Sequence, residues 1–173
     1  MSIKKIDVAL INFFRKISVP LARFGIFVIF FWFGLLKVVG QSPATPLVQK
    51  LFESTISFMS FNTFIIAFGW LEVLIGILFL IKGAERIVIP ILFLHMITTF
   101  MPLFLLPQET WSGFLVPTLE GQYIIKNLAL IAAAVGIAAN LDPISTFLPP
   151  RYKPIAGDTR NDDAGVLGHS EEE

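Results

Sequence analysis

The chain has 173 residues, no Cys, and 13 basic against 13 acidic side chains. Its 55% hydrophobic content and 18 Phe, with a mean hydropathy of +0.76, exceed what the core of a soluble domain this size needs, so lipid is the expected solvent for much of it. Without Cys, disulfides, thiolate metal sites and Cys-ligated clusters are excluded, and any redox role must use a bound cofactor or a partner. The neutral total hides an asymmetry, because residues 156–173 hold six acidic residues against Arg160 alone, leaving the rest of the chain mildly basic.

Lys4, Lys5, Arg15 and Lys16 interrupt the first apolar run and no small-residue cleavage site follows, so a cleaved signal is not expected. Within residues 1–19, Ile3, Ile6, Leu10, Phe13 and Ile17 share one helical face, opposite Lys4, Lys5, Asn12, Arg15 and Lys16. That pattern predicts a short basic amphipathic helix on the anionic cytoplasmic leaflet. Pro20 then opens a span to about residue 39, and apolar stretches at 61–81, 87–106 and 123–141 follow. At about 1.5 Å per residue each crosses about 30 Å of hydrocarbon. The reading is an all-α integral membrane protein, a four-transmembrane-helix bundle over 20–141. A Pro-rich and then acidic tail, residues 142–173, is expected to be disordered. There is no convincing internal repeat.

Lys and Arg set the orientation. The segment through Arg23, the turn with Lys82 and Arg86, and the tail hold ten of them, whereas the opposite segments hold only Lys37, Lys50 and Lys126. The asymmetry predicts a multi-pass plasma-membrane protein with both termini cytoplasmic. In the first outward loop, Thr45 and Pro46 read as an N-cap and first-turn pair, and Leu47, Leu51, Phe52, Ile56 and Met59 recur at helical spacing. An interfacial helix is therefore expected there. Trp111 and Tyr123 flank the second outward loop at headgroup depth.

The residues a bilayer should reject are the candidates for function. In the second span Glu72 lies between Gly69 and Gly76, at helical spacing that lets another helix approach closely. Arg23, Phe27, Phe30, Gly34 and Lys37 form a comparable stripe in the first span, and Lys126, Ala129, Ala133, Gly136 and Asn140 in the fourth. The third offers His95, Thr98, Thr99 and Pro102, whose ring frees a carbonyl that Thr98 or a water can help satisfy. Counted from the cytoplasmic boundary, Glu72 and His95 fall near 14 Å and Lys37 and Lys126 at about 22–26 Å. An ionised carboxylate at that depth costs several kcal/mol unless paired, so Glu72 either takes a proton or finds Lys126, Lys37 or His95. The plain alternative is an ion pair that only fixes packing, with the lysines snorkelling to headgroups. A bis-histidine haem is not expected, since the other His is His169 in the tail. No Gly-rich phosphate loop, H-E-x-x-H or G-x-S-x-G occurs, and no basic groove, which sets aside soluble hydrolases, kinases and nucleic-acid binders.

Six segments, in order, carry a family resemblance: F-W-F-G-L-L-K at 31–37, S-P-A-T-P-L-V at 42–48, W-L-E-V-L-I-G at 70–76, T-T-F at 98–100, P-Q-E-T-W at 107–111 and G-Q-Y-I-I-K-N-L at 121–128. Over about residues 20–140 the chain resembles the DoxX-like membrane proteins, closest to the YkgB-type reactive-chlorine resistance proteins of the inner membrane. The resemblance implies a four-helix inner-membrane protein linked to membrane redox or oxidant-stress defence. A quinone or similar apolar ligand would sit in the bundle, with Glu72, His95 and Lys126 as its polar contacts and Lys37, Thr98 and Asn127 as further candidates. Where the family pattern often has Asp after the lysine of the last motif, this chain has Asn127, and a proton step that needs that Asp would be missing. Two other classes stay open. One is a proton-linked small transporter using Glu72; the other is an accessory subunit of a larger complex or a homo-oligomer.

Overall fold

The computed structural model describes residues 3–56 and 58–141; the expected tail at 142–173 lies outside the described residues. Helix α1 runs Ile3–Val38, α2 Thr45–Thr55, α3 Phe61–Leu80 and α4 Glu85–Phe100. Short turns α5 (Pro102–Leu105) and α6 (Pro107–Thr110) lead into a hairpin, β1 (Trp111–Gly113) and β2 (Val116–Pro117), followed by α7 (Leu119–Lys126) and α8 (Leu128–Ala138).

Among the described residues, four helical stretches are long and apolar enough to cross a membrane: Ile3–Val38, Phe61–Leu80, Glu85–Leu105 and Leu119–Ala138. At most 39% of their most apolar windows is buried inside the protein, and Trp32, Trp70, Leu94 and Ile97 are more than half exposed. Helices apolar on all sides with so little internal burial suit contact with a lipid bilayer. α1 packs on α3 and α8, and α4 packs on the same two, so the four close a ring. Ile26 and Phe30, Ile75 and Phe79, Val88, Leu92 and Met96, and Ala134 and Ile137 fill its centre.

The expected boundary at Pro20 is not a break. α1 continues through it as one 36-residue helix, so the basic stretch at 3–19 is its first half rather than a separate element. Proline removes one backbone hydrogen bond, here to the Lys16 carbonyl, while Val19 and Ala22 on either side pack against the core and hold the helix in line. The opposite happens in the last span. Asn127 leaves regular helix, its amide donating to the Ile124 carbonyl at 3.0 Å, and divides α7 from α8.

Local chemistry explains most starts. The Ser60 hydroxyl accepts from the Thr63 amide at the head of α3, and Thr118 does the same for Gly121 at α7. α2 begins one residue earlier than its sequence suggests, with Ala44 in the cap position and Thr45 already helical. The hairpin was not legible in the sequence. Its base is held by the Trp111 indole N–H on the Leu103 carbonyl at 3.0 Å and the Thr118 amide on the Thr110 carbonyl at 2.9 Å. A side chain at Gly121 would come within 2.1 Å of that same carbonyl. Lys50 of α2 meets Glu109 of α6 at 2.5 Å, which puts α2 and the hairpin at one end of the bundle and the α3–α4 turn at the other. Both partners are well exposed, so this pair adds little stability.

Candidate functional site

α1 and α3 approach until their backbones touch. A Cβ on Gly34 would lie 2.6 Å from the Gly69 carbonyl oxygen, and one on Gly76 would lie 2.9 Å from the Phe31 amide nitrogen. Gly34 opposite Gly69, and Phe27 and Phe31 opposite Gly76, make the pair antiparallel. The expected stripes of these two spans are therefore the real interface, and small residues create it.

That contact carries Lys37 and Glu72 together. The ammonium lies 2.6 Å from Glu72 Oε2, and His95 Nε2 from α4 lies 3.3 Å from Oε1. Lys37, Glu72 and His95 are 6%, 6% and 5% exposed. The depth difference counted along the sequence closes because helical side chains lean toward their own N-termini. In antiparallel helices Lys37 leans toward the α3–α4 turn and Glu72 away from it.

The imidazole is stacked on Phe68, with centroids 4.8 Å apart, and meets Phe30 edge-on at 5.3 Å. The stack continues through Phe64 to Phe52 of α2 at 5.4 and 4.9 Å. The Lys37 ammonium also lies 5.8 Å from the Phe68 centroid. Among the described residues His95 Nδ1 is buried without a hydrogen-bond partner. A carboxylate paired with an ammonium accepts only, so the His95 nitrogen facing it carries the proton, and in the neutral ring Nδ1 is left with the lone pair.

The other expected site residues are placed differently. Lys126 is exposed, its ammonium 5.0 Å over the Tyr123 ring, so the cation on Glu72 is Lys37. The buried face of the last span is Gly121, Ile124, Ala134 and Ile137, and a Cβ on Gly136 would meet nothing within 4 Å. Of its expected small stripe, Lys126, Ala129, Gly136 and Asn140 are exposed, while Ala133 packs against the core. Asn127 is half-buried at the α7–α8 junction. The Thr98 and Thr99 hydroxyls both donate to the His95 carbonyl, at 2.7 and 3.1 Å, rather than to the carbonyl freed by Pro102.

A second buried cluster was missed by sequence reasoning. Arg23 donates to the Phe79 and Ile81 carbonyls, each at 2.8 Å, and forms a salt bridge with Glu85. The other Glu85 oxygen accepts from the Gly83 amide at 2.6 Å. Arg23 thereby satisfies carbonyls at the end of α3 and ties α1 to the start of α4. The available signal was an acidic residue just after a glycine turn, level with an arginine near the start of the first span.

An apolar crevice of about 360 Å³ opens between α4, α5 and α8, lined by Phe93, Met96, Ile97, Phe100, Phe104 and Ile131 among others. Neither Glu72 nor His95 lines it. No protein-family model, curated protein or solved structure matches the chain, so the DoxX-like resemblance rests on the quoted segments.

Proposed function

We propose that this is a DoxX-like inner-membrane protein that supports membrane redox or oxidant-stress defence, with Lys37, Glu72 and His95 as the polar end of a site for a quinone or similar apolar ligand. The observation that carries the reading is the unpartnered, buried Nδ1 of His95. A ring oriented by a carboxylate on one nitrogen presents a fixed lone pair on the other, suited to a hydroxyl donor on a bound molecule. Phe30 and Phe68, packed on the imidazole itself, give it the apolar, aromatic surround typical of sites for such ligands.

His95→Phe tests it, because it keeps the ring contacts and leaves Glu72 paired with Lys37. The expected variant purifies as a folded protein but loses a redox-active apolar compound that the parent retains in mild detergent, and cells carrying it lose protection against hypochlorite. Parental ligand content and survival in a folded His95→Phe protein would sink the proposal. The chain of titratable groups over three helices also favours a second reading, proton-linked transport, which proton flux in liposomes separates from the first.

The orientation that goes with this function places both termini in the cytoplasm, with α2 and the hairpin outside. Since the chain has no Cys, single cysteines can be labelled without background. Ser54→Cys should react with an impermeant maleimide in intact cells, and Ser170→Cys only after lysis. The reverse pattern would invert the topology.

A further inference from the structure

The turn joining β1 and β2 has an unusual composition. Phe114, Leu115 and Val116 are 92%, 73% and 55% exposed. Leu115 takes φ +57°, the one non-glycine residue with positive φ among the described residues. A position of that kind in a tight hairpin normally takes Gly or Asn, because a Cβ there crowds the backbone. Here the easier turn residue is replaced by a branched apolar one beside a phenylalanine. Water cannot favour that choice.

Position indicates what does. Trp111 at the hairpin base is hydrogen-bonded to the Leu103 carbonyl, level with the end of the third membrane-length stretch, Glu85–Leu105. Phe104, Leu105 and Leu119, which flank the base, are 80%, 49% and 61% exposed. The exposed surface at this end, from the tip to the residues that flank its base, is thus apolar. Two or three residues at about 3.3 Å each give a reach of up to about 10 Å beyond Trp111, and the headgroup zone is about 5–8 Å deep on each side of a bilayer.

We propose that this hairpin is a membrane anchor whose tip, Phe114 to Val116, inserts among the acyl chains of the leaflet at the α2 end. Trp111 rests at headgroup depth, and the insertion holds the loop that links α5 to α7 against the bilayer.

The test uses Phe114→Cys carrying a nitroxide, in the full chain reconstituted into phosphatidylcholine–phosphatidylglycerol vesicles. Phe114 is almost fully exposed, so the change removes no packing, and Glu53→Cys on the exposed face of α2 serves as the aqueous reference. The Phe114 label should collide readily with dissolved oxygen and several-fold less often with a water-soluble nickel chelate than the reference does. Nickel collision equal to the reference would place the tip in water and overturn the anchor. Protection from both oxygen and nickel would mean that protein covers the tip, a second copy or a partner, and would overturn it equally.

Discussion

Glu72→Gln is expected to destabilise the protein by about 3–5 kcal/mol, the range for breaking a buried ion pair from one side. The Lys37 ammonium, 6% exposed and 2.6 Å from the carboxylate, would keep its desolvation cost and lose its counter-charge. Adding Lys37→Met should restore much of the loss, since two neutral side chains of similar volume carry no buried charge. Lys126→Met should by contrast stay within about 0.5 kcal/mol of the parent, because that side chain is exposed over Tyr123. Thermal unfolding of these three variants and of Glu72→Gln/Lys126→Met in one detergent decides among them; rescue by Lys126→Met instead would refute the pairing. Function separates the remaining alternatives. The restored double variant should still lack oxidant protection, because His95 has lost the carboxylate that orients it, and a stable, fully protective double variant would reduce the cluster to packing.

The second large effect belongs to Gly34. A methyl group there would meet the Gly69 oxygen at 2.6 Å, Glu72 Cβ at 2.8 Å and the Val73 amide nitrogen at 2.8 Å. Two of the three obstacles are backbone and cannot rotate away, so α1 and α3 must separate. Gly34→Ala should cost roughly 1–3 kcal/mol, the usual range for overpacking, and Gly34→Leu should cost more. The separation also pulls Lys37 from Glu72, so ligand retention should fall with stability. Gly136→Ala is the control. Its Cβ meets nothing within 4 Å, and in a helix the change should stabilise by about 0.5–1 kcal/mol. Melting temperatures of the three variants check the assignment, and a Gly34→Ala protein as stable as the parent would mean that the two backbones do not touch.

These expectations show where sequence reasoning holds. The lengths of the apolar stretches, the Ser60 start of α3 and the small face around Glu72 are local properties, dictated by composition and by i, i+3 and i+4 neighbours. Glycine on both sides of a lone carboxylate is a pattern with one ready explanation, and Gly69, Glu72 and Gly76 are all buried. The last span offered no such uniqueness. Ala132, Ala133 and Ala134 put a small residue on three successive faces, and only Ala134 is fully buried, so the small-residue rule could not choose among them.

By itself, then, the sequence determined a helical chain with four membrane-length apolar stretches, and it determined that Glu72 and His95 sit in one layer. What it could not determine is which cation reaches Glu72, because Lys37 and Lys126 count to similar depths in the membrane, about 22–26 Å. Tertiary structure decided that through helix direction. Side chains lean toward the N-terminus of their own helix, so Lys37 on α1 and Glu72 on the antiparallel α3 lean toward each other, while Lys126 leaves the bundle on the exposed side of α7. The Arg23–Glu85 clamp and the hairpin needed the same kind of information. Their partners lie 62 residues apart in one case and depend on a tryptophan reaching back to Leu103 in the other, contacts that no local pattern encodes.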